Sequence, residues 1–425
     1  MSNCAIVGIN WGDEGKGRMV DLLTKEYDVV VRYQGGANAG HTVVNEKGKF
    51  ALHLLPSGIL SDGIVNVIGN GVALDAESLA SEMAAVMGKG VKITPENLKV
   101  SERASLLLPW HREQDGLEES RLKDKQYGST KQGIAPFYSD KYQKKTALAG
   151  EVRDLKALKE HLMEIMEWKN LTIKNVYGAE PYTEEMLDRW IAEYAVKLSP
   201  FVCDTGEFLK DADRAGKNIL FEAQLGALKD VDFGIVPFTT SSNTLAAYAP
   251  IGSGYPRVKI DRIMGVVKAY STCVGEGAFV SEMFGDEADR LREAGGEYGA
   301  TTGRARRVGA YDAPATAYGV EKQGATEIAV TKLDVLSYME KIPVCTAYVS
   351  EGKQTDKFPF PTLLESAAPV IEYMDGWNCD ISGARRWSDL PKAAQDYVDF
   401  IEKTAGCRVT YVSVGAERES YLIKD

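Results

Sequence analysis

The stretch GINWGDEGKGR, residues 8–18, sets Gly12, Gly15 and Gly17 around two acids and a lysine, directly after the apolar run CAIV. Glycines at that spacing let backbone N–H groups close on an anion, and the N-terminus of a following helix favours phosphate. Lys16 supplies a point charge. The Gly-Lys pair comes two positions later than in an ordinary P-loop, and Gly17 stands where that loop has Ser or Thr. An acid beside phosphate costs repulsion unless it holds a metal or takes a proton, so Asp13 is a candidate for both tasks. Glu14 reads equally well as a solvated loop acid and carries no catalytic role. A second polar turn, RYQGGANAGHT at 32–42, brings His41 together with Asn38, Gly40 and Thr42. Small residues there admit a substrate, while the imidazole offers a donor near neutral pH.

These turns need strands to carry them. Short β-branched runs end in glycine-rich or polar turns at 4–10, 28–36, 64–71, 217–226, 262–272, 327–334 and 409–415. Helix-like stretches fall at 76–88, 154–168 and 184–198. The pattern predicts an α/β fold with a large, mostly parallel central sheet, a P-loop-like site and helical insertions. Ligands gather at the carboxyl ends of strands in such sheets, where the polar turns fall. The span from about 95 to 215 reads as a largely helical insertion within one domain covering 1–425.

Composition narrows the partners. The 425 residues carry 50 Lys and Arg against 61 Asp and Glu, net −11, which argues against nucleic acid or an anionic membrane as the partner. Six scattered cysteines form no C-x-x-C pair, so neither a disulfide framework nor a zinc site is suggested. Without a leader-like start or a bilayer-length apolar run, the chain reads as soluble and cytoplasmic.

WGDEGKGR and YQGGANAGHT together resemble adenylosuccinate synthetases, and the likeness continues through LHLLPSGIL (52–60), GNGVALD (69–75), SSNT (241–244), KAYSTCVGEG (268–277), EYGATTGRARRVGAYD (297–312) and TKLDVL (331–336). The resemblance implies GTP-dependent joining of L-aspartate to IMP through a 6-phosphoryl intermediate, in a Mg²⁺-dependent homodimer. By the same resemblance, Asp13 is the base that takes the purine N1 proton, and His41 serves the phosphoryl group in transit. Asp13 and the Gly40 carbonyl would hold the metal. GTP would meet Gly12, Glu14, Gly15, Lys16, Gly17, Gly40, Thr42 and Arg306, with Lys332, Asp334, Ser413 and Gly415 around the base. Asp334 in TKLD would accept from guanine while Lys332 packs along the ring. IMP would meet Asp13, Asn38, Thr130, Gln224, Thr240 and Arg304, with Lys144 reaching across the dimer. Aspartate would be held by Val274, Ala300, Thr301, Thr302 and Arg304, since guanidinium suits carboxylate.

The sequence departs from the family at several points. Lys131 and Gln132 replace a Gly-Arg pair, Lys144 replaces an arginine, Cys273 replaces another, and Ala416 replaces a proline. The family's EGAQG segment reads EAQLG at 222–226, so Leu225 stands at the usual glutamine position with Gln224 one place earlier. Two alternatives therefore stand beside the leading reading: a ligase acting on another 6-oxopurine nucleotide such as dGMP, or a non-catalytic GTP-binding protein of the same fold.

Overall fold

The computed structural model describes residues 3–45, 48–299, 303–417 and 419–424. Its centre is a sheet of ten strands, numbered here in chain order: β1 (Cys4–Gly8), β2 (Val29–Arg32), β3 (Val65–Ile68), β4 (Leu98–Ser101), β5 (Val202–Cys203), β6 (Ile219–Gly226), β7 (Arg262–Lys268), β8 (Glu327–Thr331), β9 (Val409–Ser413) and β10 (Tyr421–Ile423). Across the sheet the order is β10-β9-β8-β7-β1-β6-β2-β3-β4-β5. Only β10 runs antiparallel to its neighbour. The seven runs read from the sequence supply β1, β2, β3, β6, β7, β8 and β9. Every residue of β1 and β2 is buried, as expected for strands covered on both faces, which show continuous apolar runs rather than alternation.

The chain leaves β1 toward one edge through β2, β3, β4 and β5, returns as β6 between β1 and β2, then continues through β7, β8 and β9 toward the other edge. That reversal puts a crevice at the carboxyl end of β1, where the opening loop emerges. Two differences from the sequence reading concern the flanks. The run at 262–272 divides into β7 and a short strand Ser271–Cys273, which pairs antiparallel with Arg307–Gly309 and so draws the arginine-rich segment to the sheet. The 95–215 span is rich in helix, yet its strands β4 and β5 extend the central sheet. Its helix residues Leu158, Leu162 and Ile165 share one apolar cluster with Ile68 and Val100 of the sheet.

Helix ends follow local chemistry. Asp154 caps Leu155–Tyr177 by accepting from the N–H groups of Lys156 and Ala157, both at 3.1 Å, and Gly178 ends that helix at φ +66°. The helix thus runs past residue 168, because no stop signal comes earlier. The helical stretch near 184–198 contains a π-helical turn at Ile191–Ala195. Asp312 caps Ala313–Gln323 through the Ala315 N–H at 3.0 Å, and this helix packs under the opening loop.

That packing leaves no spare room. A Cβ on Gly319, in the middle of the helix, would lie 2.0 Å from the Ile9 carbonyl oxygen. Alanine gains about 1 kcal/mol over glycine in helix propensity, but overpacking against backbone costs about 1–3 kcal/mol. Gly319→Ala is expected to lower the melting temperature. A variant as stable as the parent in calorimetry would contradict the helix placement.

Candidate active site

The opening loop takes left-handed backbone at Gly12 (φ +105°), Asp13 (φ +60°) and Gly15 (φ +96°), and Gly15 starts the helix Lys16–Leu23. Its two acids part company. Asp13 faces a cleft with its side chain about a third exposed, 3.3 Å from an Arg306 guanidinium nitrogen. Glu14 is not a solvated loop acid: it is 2 % exposed and turned into the loop. Its Oε1 accepts from the N–H groups of Asn10 at 3.1 Å and Gly12 at 2.7 Å, and its Oε2 pairs with Lys16 Nζ at 2.7 Å. Lys16 is consequently buried on Glu14 and does not line the cleft.

The cleft holds about 760 Å³, within the range of small-molecule sites. Asp13, Asn38, Gly40, Thr130, Thr240, Val274 and Arg306 are all among its walls. Trp11 Nε1, Asn38 Oδ1, Thr240 Oγ1 and Arg306 Nε are buried atoms on wall residues without a hydrogen-bond partner, an arrangement suited to a polar ligand. Asp115 and Glu119 shape the Thr130 turn: Asp115 accepts from Ser129 Oγ at 2.7 Å and Gly133 N at 2.8 Å, and Glu119 from Tyr127 N at 3.1 Å. Burial pushes the Asp115 carboxyl above its usual range, against the two hydrogen bonds.

Gln224 is not among the cleft walls, a correction to its expected place. Its Oε1 accepts from Gly36 N at 3.0 Å and its Nε2 donates to the carbonyls of Gly36, at 2.9 Å, and Ala39. The amide is spent on fixing the 35–39 turn. Leu225, at φ +62°, presents the apolar wall instead, where the β1–β6 register shifts.

His41 lies behind the cleft, packed so closely on the helix start that a Cβ on Gly17 would come 2.7 Å from its own Cβ. Its Nδ1 is 2.5 Å from Glu222 Oε1. Glu222, fully buried, also accepts from Ser57 N and Ser57 Oγ, each at 2.8 Å. Burial lowers the His41 pKa, helped by Arg32 and Lys16, and Glu222 only partly opposes it. Burial would raise the Glu222 carboxyl, but His41, Arg32 and the Ser57 N–H outweigh it and hold it low. Sequence reasoning missed Glu222; its signal was a lone acid inside the apolar run NILFEAQLG.

A third group surrounds TKLD. Thr331 Oγ1 donates to the Glu14 carbonyl at 2.6 Å, tying β8 to the opening loop. Arg18 donates to Ser413 Oγ at 2.6 Å and to the carbonyls of Gly415, Glu417 and Ser420, the last at 3.0 Å. It gathers Ser413, Gly415, Glu417 and Ser420 beside Asp334, whose charge acts on it. Burial raises the Asp334 carboxyl, with Arg18 and Lys332 opposing. Arg18 was also missed, although a cation in a helix's first turn opposes the dipole and signals a tertiary partner. The Lys332 ammonium binds Glu297 Oε1 at 3.0 Å and the Gly295 carbonyl, while its side chain stays about a third exposed.

Among the remaining expected residues, Arg304 has a largely exposed side chain with its guanidinium 3.4 Å from Glu276, and Lys144 is exposed at φ +64°. The backbone of Thr42 lies in the hairpin His41–Asn45 with Gly48–Leu52. Ala300, Thr301 and Thr302 lie outside the described residues. No three His, Cys, Asp or Glu side chains converge as a metal site among the described residues, and no helix there is long and apolar enough to cross a membrane.

Comparison with known proteins agrees across the whole chain. A family model described as adenylosuccinate synthetase matches residues 5–422. Adenylosuccinate synthetase 2 of Pseudoalteromonas translucida is 44% identical over 426 residues, covering 100% of both chains. The fully ligated adenylosuccinate synthetase of Plasmodium falciparum superposes with a TM-score of 0.94 at 34% identity, again over 100% of both chains. A cyanophage S-2L succinoaminodeoxyadenylate synthetase shares the fold at a TM-score of 0.61 and 20% identity, covering 100% of this chain and 95% of that one. With an acid-bearing glycine loop at the switch point, the chain belongs to the adenylosuccinate synthetase family.

Proposed function

We infer that the protein is a GTP-dependent ligase joining L-aspartate to IMP to give adenylosuccinate, GDP and phosphate, a step toward AMP. The observation that carries this is the meeting, on one cleft, of the Asp13 carboxylate with the Asn38–Gly40, Thr130 and Thr240 turns and with Arg306. A protein that merely held GTP would have no use for an acid on the acceptor side of its phosphate loop. The presence of Asp13, rather than a smaller residue making room for a 2-amino group, favours IMP over the alternative acceptor dGMP.

The chemistry divides into two displacements. Asp13 takes the N1 proton of the hypoxanthine, which makes O6 a nucleophile toward the γ-phosphorus of GTP. The bond to GDP breaks as the O6–phosphorus bond forms. The aspartate amine then attacks C6, and the C6–O6 bond breaks with loss of phosphate. Phosphoryl transfer asks the protein mainly for positioning and charge neutralisation, which the loop N–H groups and His41 supply, joined by Lys16 when phosphate draws its ammonium away from Glu14. With Glu222 at Nδ1, an arriving phosphoryl anion favours the imidazolium over the neutral ring, and Nε2–H becomes a donor to it.

Magnesium fits the donor set, since it is commonly bound by one or two carboxylates together with substrate phosphates. Asp13 and the Gly40 carbonyl would hold it, and when bound it would neutralise phosphate charge. On the base side, Asp334 accepts from guanine while Arg18 holds the Ser413–Gly415 loop over it. IMP is held by Asn38, Thr130 and Thr240, and the aspartate carboxylates by Arg304 with Thr301 and Thr302. Lys144, exposed in one chain, serves a neighbouring copy's site in a cytoplasmic homodimer of single-domain subunits.

Supplying GTP, aspartate and Mg²⁺ with IMP or dGMP in parallel is expected to yield a succinyl product from IMP alone; conversion of dGMP instead would replace the acceptor assignment. Asp13→Ala should stay folded and form no succinyl nucleotide, and near-normal turnover would remove Asp13 from its role as base. A hydrogen bond to a charged group is worth about 1.5–3 kcal/mol, so Asp334→Asn should cost about tenfold or more in kcat/KM for GTP. Its Asn amide should at the same time improve use of xanthosine triphosphate, and unchanged discrimination between the two would count against Asp334 as the guanine reader.

A further inference from the structure

Glu297 is fully buried between the helix Asp286–Gly295 and the arginine-rich segment. Its Oε1 accepts from Lys268 Nζ at 2.9 Å, Tyr270 OH at 2.6 Å and Lys332 Nζ at 3.0 Å. Its Oε2 accepts from Lys268 Nζ at 3.0 Å and from an Arg306 guanidinium nitrogen at 2.7 Å. A carboxylate offers about four lone-pair sites, so five such contacts saturate it. One cation would neutralise this acid, yet three converge on it. Two of them come from segments with separate tasks: Lys332 precedes Asp334 at the end of β8, and Arg306 turns its other terminal nitrogen to Asp13. The Glu297 carbonyl also accepts from Arg306 N at 2.9 Å, and the Gly299 N–H donates to the Arg304 carbonyl at 2.8 Å. Glu297 and Arg306 are therefore joined through both backbone and side chain, next to the Gly299–Arg304 backbone pair.

We propose that Glu297 is a positioning residue for the ligation: its carboxylate fixes Arg306 against Asp13 and Lys332 at the mouth of the guanine pocket, so that the nucleotide and acceptor halves of the site keep one relative placement. This rests on the GTP and IMP reading above. In-line transfer between two bound nucleotides is sensitive to small misplacements. Loss of the carboxylate therefore acts on turnover and on GTP together, through side chains that remain present.

The test compares the full-length parent, Glu297→Gln, and the double variant Lys268→Met/Glu297→Gln, which removes one cation with the acid and so spares the core an extra unpaired charge. Folded protein is quantified by circular dichroism, then kcat and the KM for GTP are measured with IMP and aspartate saturating. GDP affinity is read separately by calorimetry. In both variants kcat per folded enzyme should fall roughly tenfold or more, the KM for GTP should rise, and GDP binding should weaken. A residue that only stabilises the fold would reduce the yield of folded enzyme and leave these constants alone. Constants within about twofold of the parent in either folded variant overturn the proposal, as does failure of both variants to fold. Absence of adenylosuccinate with the parent would instead overturn the ligase reading, and the GDP affinities of the variants would still decide whether Glu297 positions the nucleotide side.

Discussion

A cation buried before its ligand arrives must be neutralised by the protein itself, and the Glu14–Lys16 pair at 2.7 Å meets that demand at the centre of the sheet. Both side chains are almost wholly buried, where an unpaired charge would cost several kcal/mol. The Glu14 carboxylate also gathers the Asn10 and Gly12 N–H groups, so an internal anion holds the loop in an anion-binding shape. The left-handed backbone at Gly12, Asp13 and Gly15 follows from this wrapping. Asp13, the one non-glycine of the three, is thrown outward into the cleft. The acid that would do chemistry is thus aimed by the acid that does none.

The same device recurs around the cleft with different partners. Glu222 meets His41 and Ser57, and Glu297 meets Lys268, Lys332, Tyr270 and Arg306. In each case a buried carboxylate takes hydrogen bonds from several elements that the sheet order alone would leave independent. Burial would raise the Glu297 carboxyl, but Lys268, Lys332, the Tyr270 hydroxyl and Arg306 hold it well below the usual range. Lys268 pays in the other direction: burial pushes it down to about 8, with Glu297 opposing and Lys332 and Arg306 adding to the drop. Cations outnumber acids in this cluster, which leaves it poised for negative charge from outside.

How much of this was legible before folding depends on range. The strands of the sheet's middle were readable because strands covered on both faces must be largely apolar, as CAIV (4–7) and VVV (29–31) are. Asp13, Asn38 and Gly40 were readable as residues of polar, glycine-rich turns following such runs, Thr130, Thr240 and Arg306 only through the family resemblance, and the cleft collects all six. The positions that misled were those whose neighbours come from far along the chain. Gln224 has a side chain of the right chemistry, but a two-residue register shift between β1 and β6 gives the cleft to Leu225 and turns the amide onto the 35–39 turn. Glu222 and Glu297 reach partners 181 and 29 residues away, and nothing local in the sequence states those distances. The edge strands β4 and β5 were obscured for a related reason, since they lie within a span dominated by charged helix.

These placements explain why a phosphate loop carries acids of its own. A triphosphate brings several negative charges into a crevice of low dielectric, where cations attract it far more strongly than in water. Cations waiting there unpaired would repel one another and drag water in. Paired with Glu14 and Glu297, Lys16, Lys332 and Arg306 are held in place, and Lys16 and Arg306 are largely stripped of solvent, so less reorganisation would remain when the substrate's charge develops. The internal acids must then be weaker competitors than the ligand. Glu297 and Asp13 together face three cations, Lys268, Lys332 and Arg306, which leaves net positive charge for a polyanion to claim.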